Sequence, residues 1–555
     1  MKTKNLIVTT GLAIATLCLA LPNNAMAQKT FTLEDLNFGG KNFQNLRAEN
    51  RYTTWWGDQI VHLENNKCSI VNPNTLKETT LFTLDDINAI LSKDNSDRTV
   101  RSLFHVSFPS ANQPLVQIPT RKELLTINFK TKKIESSTET VADAQAQAYN
   151  KESRAIAYVQ NNQLFVTDNT GKTTQLTNDG SRNIVYGEAV HRNEFGIKGG
   201  LFWSPTGNRL AFYRMDQSMV TDYPLVHIPE VDWKPAKGES RIATPEPTKY
   251  PMAGEKTHTV TVGVYDINTK KTIYLDAGDP TDRYFTNIQW SPDSKTIYMF
   301  ELNRDQNDCR LVSYNAETGK RIAELYRETD AKYVEPTHPI LFLPWNANQF
   351  IMLSQKDGYN HIYLFNKDGK QIKQITKGNW VVMDVLGFNS KAKSIVYVSN
   401  ECSPIQRNTW SVNVENGIRT LLDNGRGYHN ATLSDGGKYL VDNYTEPTVP
   451  RKIDITTIGT HPTIKNWLTA KDPWSGFNLP EYSSGSLKAD DGTTDLYWRM
   501  VKPIGFDPSK KYPTVIYVYG GPHAHNVDAS WHYGSRSWET YMAQKGSHFP
   551  SARTG

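Results

Sequence analysis

The chain has 555 residues, 38% hydrophobic and 11% aromatic, with 62 basic and 57 acidic side chains for a formal net charge of +5. That length exceeds one compact domain, so two domains or a repeat array are expected, and the apolar share excludes bulk disorder. The two charge signs are interspersed and no basic stripe alternates with aromatics, so no nucleic-acid partner is indicated.

Lys2, Lys4, an apolar run over 6–21 and Ala25-Met26-Ala27 read as a signal peptide spanning 1–27. The mature chain is then expected from Gln28, in the periplasm or outside the cell. The apolar run is short and ends in a cleavage signature, against a retained anchor, and no later run is long enough to span a bilayer. Cys18 follows Leu17, where a lipid-attachment site would want a small residue. Cleavage leaves Cys68, Cys309 and Cys402, too scattered for a disulfide framework or a metal cluster. They are expected as small buried hydrophobes, with at most one bridge.

After an N-terminal segment at 28–48, the region 49–480 is made of short β-rich runs. One unit recurs: an alternating strand, a turn opened by Asn or Asp, and a second strand. The turn-opening residues are Asn72, Asn128, Asp168, Asp266, Asn315, Asn366, Asn413 and Asp454. They tolerate the left-handed backbone of tight hairpins. Their spacing runs from 40 to 56 residues, except for one interval of 98. A period near 50 with two hairpins per unit is the signature of a β-propeller; a β-sandwich would not keep so long a fixed period.

The long interval holds one first hairpin (202–213) and one second hairpin (260–275), so it is one blade with two insertions, at 180–200 and 214–258. The count is eight blades. The second insertion carries six prolines and reads as an extended arm, a candidate contact surface for a homodimer. The first carries Glu188, His191, Arg192 and Glu194, and this charged loop is expected to recognise substrate, with His191 and Arg192 solvated.

From about 481 the chain changes character. Residues 494–503 alternate as a strand, 514–519 form an all-apolar run expected as a strand buried on both faces, Gly520-Gly521-Pro522 follow as a turn, and 538–546 read as a short helix. This is how an α/β-hydrolase domain opens, and a glycine turn after an early strand is where such folds place part of an oxyanion hole. No G-x-S-x-G nucleophile elbow occurs in the 555 residues, and 547–555 carry no apolar strand where the next is due. The fold is therefore expected to be mainly β: an eight-bladed propeller followed by the first, incomplete part of an α/β-hydrolase domain at 481–555.

Val185-Tyr-Gly-Glu-Ala-Val-His-Arg-Asn-Glu-Phe-Gly-Ile, Phe202-Trp-Ser-Pro, the runs 210–220, 250–254, 258–265 and 447–452, and Tyr517-Val-Tyr-Gly-Gly-Pro-His-Ala together resemble the prolyl oligopeptidase family of serine peptidases. Within it they are most similar to the dipeptidyl peptidase IV branch and, in that branch, to bacterial prolyl tripeptidyl peptidases. The likeness runs from about 31 to 546; the departure from Ser547 reads as a frameshift or premature stop that removes the Ser-Asp-His triad. The resemblance implies that Glu194 anchors the substrate's free amino group, with Glu188 as a weaker second candidate, and that Tyr519 donates to the oxyanion.

Dipeptidyl peptidases of that branch use two adjacent glutamates; here Asn193 precedes Glu194, and Glu188 lies six residues away. The implied activity is release of X-X-Pro tripeptides, or X-Pro dipeptides, from peptides with proline near a free N-terminus. The 555 residues themselves are expected to be inactive and poorly stable at 514–519. No cofactor or metal is expected. The alternatives are a non-enzymatic propeller that binds peptides or partner proteins, and a secreted structural propeller in which Glu194 has no role.

Overall fold

Eight antiparallel blade sheets follow one another between residues 52 and 469 of the computed structural model, each built from strands consecutive in sequence except the fourth, which two short two-stranded ladders of the arm interrupt. The structure describes residues 29–93, 98–229, 242–521, 523–546 and 549–552; the expected signal peptide and Pro522 lie outside them. Two compact units result: Ala48–Lys471 with His525–Gly534, and Met1–Arg47 with Asp472–Ala524 and Ser535–Gly555.

The larger unit is the eight-bladed propeller. The repeat signal has a concrete origin in the turns. Asn72 Oδ1 accepts the backbone N–H groups of Asn74 and Thr75, Asp266 Oδ1 those of Asn268 and Thr269, and Asn315 and Asn413 repeat the pattern at 2.9 Å. Neighbouring sheets bury shared apolar clusters, such as Tyr213, Val262, Phe285 and Trp290 between blades 4 and 5. Blade 8 closes on blade 1 through Ile60, Val71, Ile453, Ile455 and Trp467, with no strand exchanged between the two sheets. Asp58 reinforces the seam by accepting from Ser434 Oγ at 2.8 Å and from the Gly436 N–H at 2.9 Å. Between blades 2 and 3 lies instead a polar cleft of about 850 Å³, with Glu135, Arg154, Tyr158 and Asp168 on its walls.

Sequence periodicity misses the α-helix Leu84–Ser92, although its signal is present. Thr83 and Asp86 form a reciprocal capping box, the Thr side chain accepting from the Asp86 N–H and the Asp86 side chain from the Thr83 N–H.

A buried ionic cluster joins blades 7 and 8. His429 Nε2 lies 2.8 Å from the Arg426 carbonyl, so it carries a proton, and Nδ1 faces Asp442 Oδ2 at 2.6 Å with Asp423 Oδ2 at 3.8 Å. Burial opposes charge on the imidazole, but the hydrogen bond and charge of Asp442 outweigh it and hold His429 up at about 9. A group raised in the fold stabilises it fully below its unfolded value and loses that contribution as pH rises through the folded one. The thermal midpoint is therefore expected to fall between about pH 6.5 and 9. A His429→Leu, Asp442→Leu double variant should lose that slope in thermal unfolding followed across pH.

In the smaller unit, Phe31 stacks on Phe477 at 4.0 Å, and its N–H donates to Gln544 Oε1 at 3.0 Å. The strands Glu481–Lys488, Asp495–Lys502 and Phe549–Ala552 form one antiparallel sheet beside the helix Ser537–Gln544. Two expectations are corrected here. Residues 514–519 form no continuous strand, only single bridge positions at Thr514 and Tyr517, and Ile516 is 71% exposed, whereas a strand buried on both faces needs unbroken ladders on both sides. Residues 549–552, expected to carry no strand, pair with Trp498–Val501. The three cysteines among the described residues are free: Cys68 and Cys309 are buried as expected, whereas Cys402 is exposed.

Candidate functional site

Blade 4 owes its charged loop to an interruption of its first strand. Ile184–Tyr186 and Leu201–Trp203 both pair with Arg209–Asp216, the first segment against residues 214–216 and the second against 210–212. Tyr213, left between them, donates its N–H to the Gly200 carbonyl at 3.0 Å and accepts the Gly187 N–H at 2.9 Å. The chain thus leaves the strand at Gly187, makes an excursion over 188–199, and re-enters opposite the same residue. Gly200 is required at this pinch, since a Cβ there would sit 2.1 Å from the Glu188 carbonyl oxygen.

The excursion holds a backbone that ordinary residues avoid. His191, Arg192, Asn193 and Phe195 have φ of 53°, 58°, 62° and 56°. Each left-handed non-glycine residue costs about 1–2 kcal/mol, so the surroundings must over-determine the conformation. They do so by burying the first and last members of 191–195. His191 and Phe195 are buried, the latter in the cluster of Tyr298, Phe300 and Phe350, while Arg192, Asn193 and Glu194 are exposed. Asn287 Nδ2 donates to the Phe195 carbonyl at 3.1 Å and to the Pro336 carbonyl at 2.6 Å, fastening the loop to the start of blade 6.

Glu194 is exposed on this frame, and among the described residues no hydrogen bond or ion pair engages its carboxylate. Glu188 is half-buried, accepts from Gln145 Nε2 at 3.1 Å, and burial pushes its carboxyl above the usual range. It lines a cavity of about 310 Å³ together with Arg192, Asn193, His258 and the base of the arm, and Glu194 is not among the residues lining it. The expectation of a solvated His191 is wrong: its ring nitrogens contact His258 Nε2 at 2.8 Å and the Phe285 N–H at 3.2 Å. Arg192 is exposed but not free, its guanidinium lying 4.8 Å from the Tyr250 ring centroid.

Tyr519 belongs to the smaller unit and is 67% exposed, beside Gly520 at φ 70°. Among the described residues, two groups of side chains have the composition of a metal site, His62 with Glu64 and Glu78, and Asp423 with His429 and Asp442. In the buried one, Nδ1 and Oδ2 only 2.6 Å apart have the spacing of a shared proton; two ligands on one ion at about 2.1 Å would have to close to a sharp angle. No helix among the described residues is long and apolar enough to cross a membrane.

The model of the dipeptidyl peptidase IV N-terminal region matches residues 103–451. A solved structure described as a dipeptidyl aminopeptidase IV from Bacteroides ovatus is 41% identical, with a TM-score of 0.86 over 94% of this chain and 74% of that one. Porphyromonas gingivalis dipeptidyl peptidase 4 shares the fold at 22% identity and a TM-score of 0.75, again over 94% and 74% of the two chains. A dipeptidyl-aminopeptidase B of Talaromyces marneffei is 27% identical over 72% of this chain and 47% of its own length. Dipeptidyl peptidase 4 of Trichophyton rubrum is 28% identical over 72% and 52%. The chain spans about half the length of these curated relatives.

Proposed function

The chain belongs to the family of the dipeptidyl peptidase IV N-terminal region, and from that premise we propose that its propeller recognises the free amino terminus of peptides for a secreted or periplasmic serine exopeptidase. Glu194 is the anchor. A peptide α-ammonium, with a pKa near 8, is charged at neutral pH, and a carboxylate that pairs with it selects chain ends over internal segments. The observation that carries this reading is an exposed carboxylate, engaged by no described side chain, on a loop held through the His191 ring on one side and the Phe195 carbonyl on the other.

The position of the second glutamate supports tripeptide over dipeptide release. Glu188 is turned to Gln145 and a separate cavity, and Asn193 stands where an adjacent carboxylate would shorten the site. Tyr519, next to the Gly520-Gly521 turn, is the proposed oxyanion donor at the opening of a hydrolase domain. Such a preorganised donor contributes about 3 kcal/mol to a transition state. With no G-x-S-x-G in their sequence, the 555 residues alone bind without cleaving.

The test is calorimetric titration of the 555-residue chain with Ala-Ala-Pro-containing peptides, free and N-acetylated, alongside a product assay. Free-amine peptides are expected to bind about tenfold more tightly than acetylated ones, Glu194→Gln should abolish that difference, and no product should form. Equal affinities for the two peptides refute the anchor; product formation refutes the inactivity. Faster cleavage of Gly-Pro than of Ala-Ala-Pro substrates by a form of the enzyme that carries the triad refutes the tripeptide preference.

A further inference from the structure

We propose that His191 and His258 form a latch that positions Glu194, and that protonation of the latch releases the loop. This rests on the reading of Glu194 as the amine anchor. His191 opens the left-handed run of the excursion, His258 immediately precedes the strand Thr259–Asp266 at the end of the arm, and Phe285 lies in the first strand of blade 5. One chain of hydrogen bonds ties these three segments together.

The chain of bonds dictates the tautomers. A backbone N–H can only donate, so the Phe285 N–H leaves His191 Nε2 without a proton. His191 must then carry its proton on Nδ1 and donate it to His258 Nε2, 2.8 Å away, which leaves the His258 proton on Nδ1. Both rings are neutral, each in one form. They stack with centroids 4.9 Å apart, and the Tyr284 ring meets His191 edge-on. Neither bond survives an added proton: a protonated His258 Nε2 no longer accepts from His191, and a protonated His191 Nε2 no longer accepts from Phe285.

The surroundings keep the pair neutral at ordinary pH. Burial pushes His191 well below the usual histidine range, and burial with the nearby charges of Arg304 and Arg192 pushes His258 down to about 4. The other charged groups facing the pair are Glu188, Lys249 and Arg182 around the cavity that His258 lines, with Asp282 holding Arg304 and Glu194 near Tyr284. A histidine lowered in the fold loses its contribution as pH falls. The latch is therefore closed at neutral pH and opens in acid. Opening it frees the left-handed residues His191, Arg192 and Asn193, whose conformation is otherwise unfavourable, and Glu194 loses its fixed place.

Two readouts on the 555-residue chain test this. His258→Phe keeps a ring but removes the acceptor, whereas His258→Gln supplies one. His258→Phe is expected to weaken binding of a free-amine Ala-Ala-Pro peptide about tenfold, with His258→Gln recovering most of it. Hydrogen exchange at 192–196, corrected for intrinsic rate, should be slow at pH 7 and accelerate below about pH 5, and should already be fast at pH 7 in His258→Phe. Should His258→Phe bind like the wild type while Glu194→Gln does not, the latch is overturned and the anchor stands. Should Glu194→Gln bind like the wild type, the anchor falls, and the exchange data alone decide: no difference between wild type and His258→Phe, or no acid step in the wild type, overturns the latch.

Discussion

Gly196→Ala is expected to weaken peptide binding as much as removing the Glu194 charge, although it leaves every charge in the loop in place. Gly196 has φ +74°, and a Cβ there would sit 2.1 Å from the Thr337 carbonyl oxygen. That oxygen cannot retreat easily, because the neighbouring Pro336 carbonyl is held by Asn287 Nδ2 at 2.6 Å, and the same amide holds Phe195. The loop must lift instead, by roughly the 1 Å that separates a clash from contact, and a carboxylate displaced that far no longer meets the ammonium, so the loss should match the roughly tenfold that the Glu194 charge contributes. Calorimetric titration with a free-amine tripeptide should show that loss, with exchange at 192–196 accelerated. Wild-type affinity in Gly196→Ala would mean that the loop is not what holds the peptide.

Glu539→Ala should have the largest effect on stability. Arg499 and Glu539 are 2% and 1% exposed and meet through two parallel bonds of 2.6 and 3.0 Å. Deleting the carboxylate takes two charge-assisted bonds from a buried guanidinium, which costs about 3–5 kcal/mol, while replacing both residues with apolar ones of similar volume costs far less. Denaturant unfolding followed by tryptophan fluorescence should show the early loss in Glu539→Ala and most of its recovery in an Arg499→Met, Glu539→Leu double variant, which still lacks the acceptor for the Arg536 N–H. Equal midpoints for the wild type and Glu539→Ala would show that the pair is not structurally required.

The propeller is legible in the sequence because its turns have a local cause. An Asx side chain caps its own turn two and three residues on, so Asn72, Asp266, Asn315 and Asn413 mark hairpins whatever the rest of the chain does. The loop is only half legible. Glu194 is exposed and reads as exposed, but His191 looks like another polar loop residue until blade 5 and the arm are folded around it, since its partners lie 67 and 94 residues away. The strand expected at 514–519 fails for the same reason in reverse. An apolar run is a strand only where two neighbours offer it a ladder, and no run of residues states whether they do.

The pinch at Tyr213 gives the excursion a freedom that ordinary inserts in sheets lack. Adding one residue to a strand flips every later side chain to the opposite face. Here the chain departs and returns opposite a single residue, so the pairing of 201–203 with 210–212 is indifferent to how many residues lie between Gly187 and Gly200. Closing a longer loop is cheap, about 0.6 kcal/mol for each doubling. Apart from the buried His191 and Phe195, the segment can change length while the pairing of 201–203 with 210–212 stays unchanged.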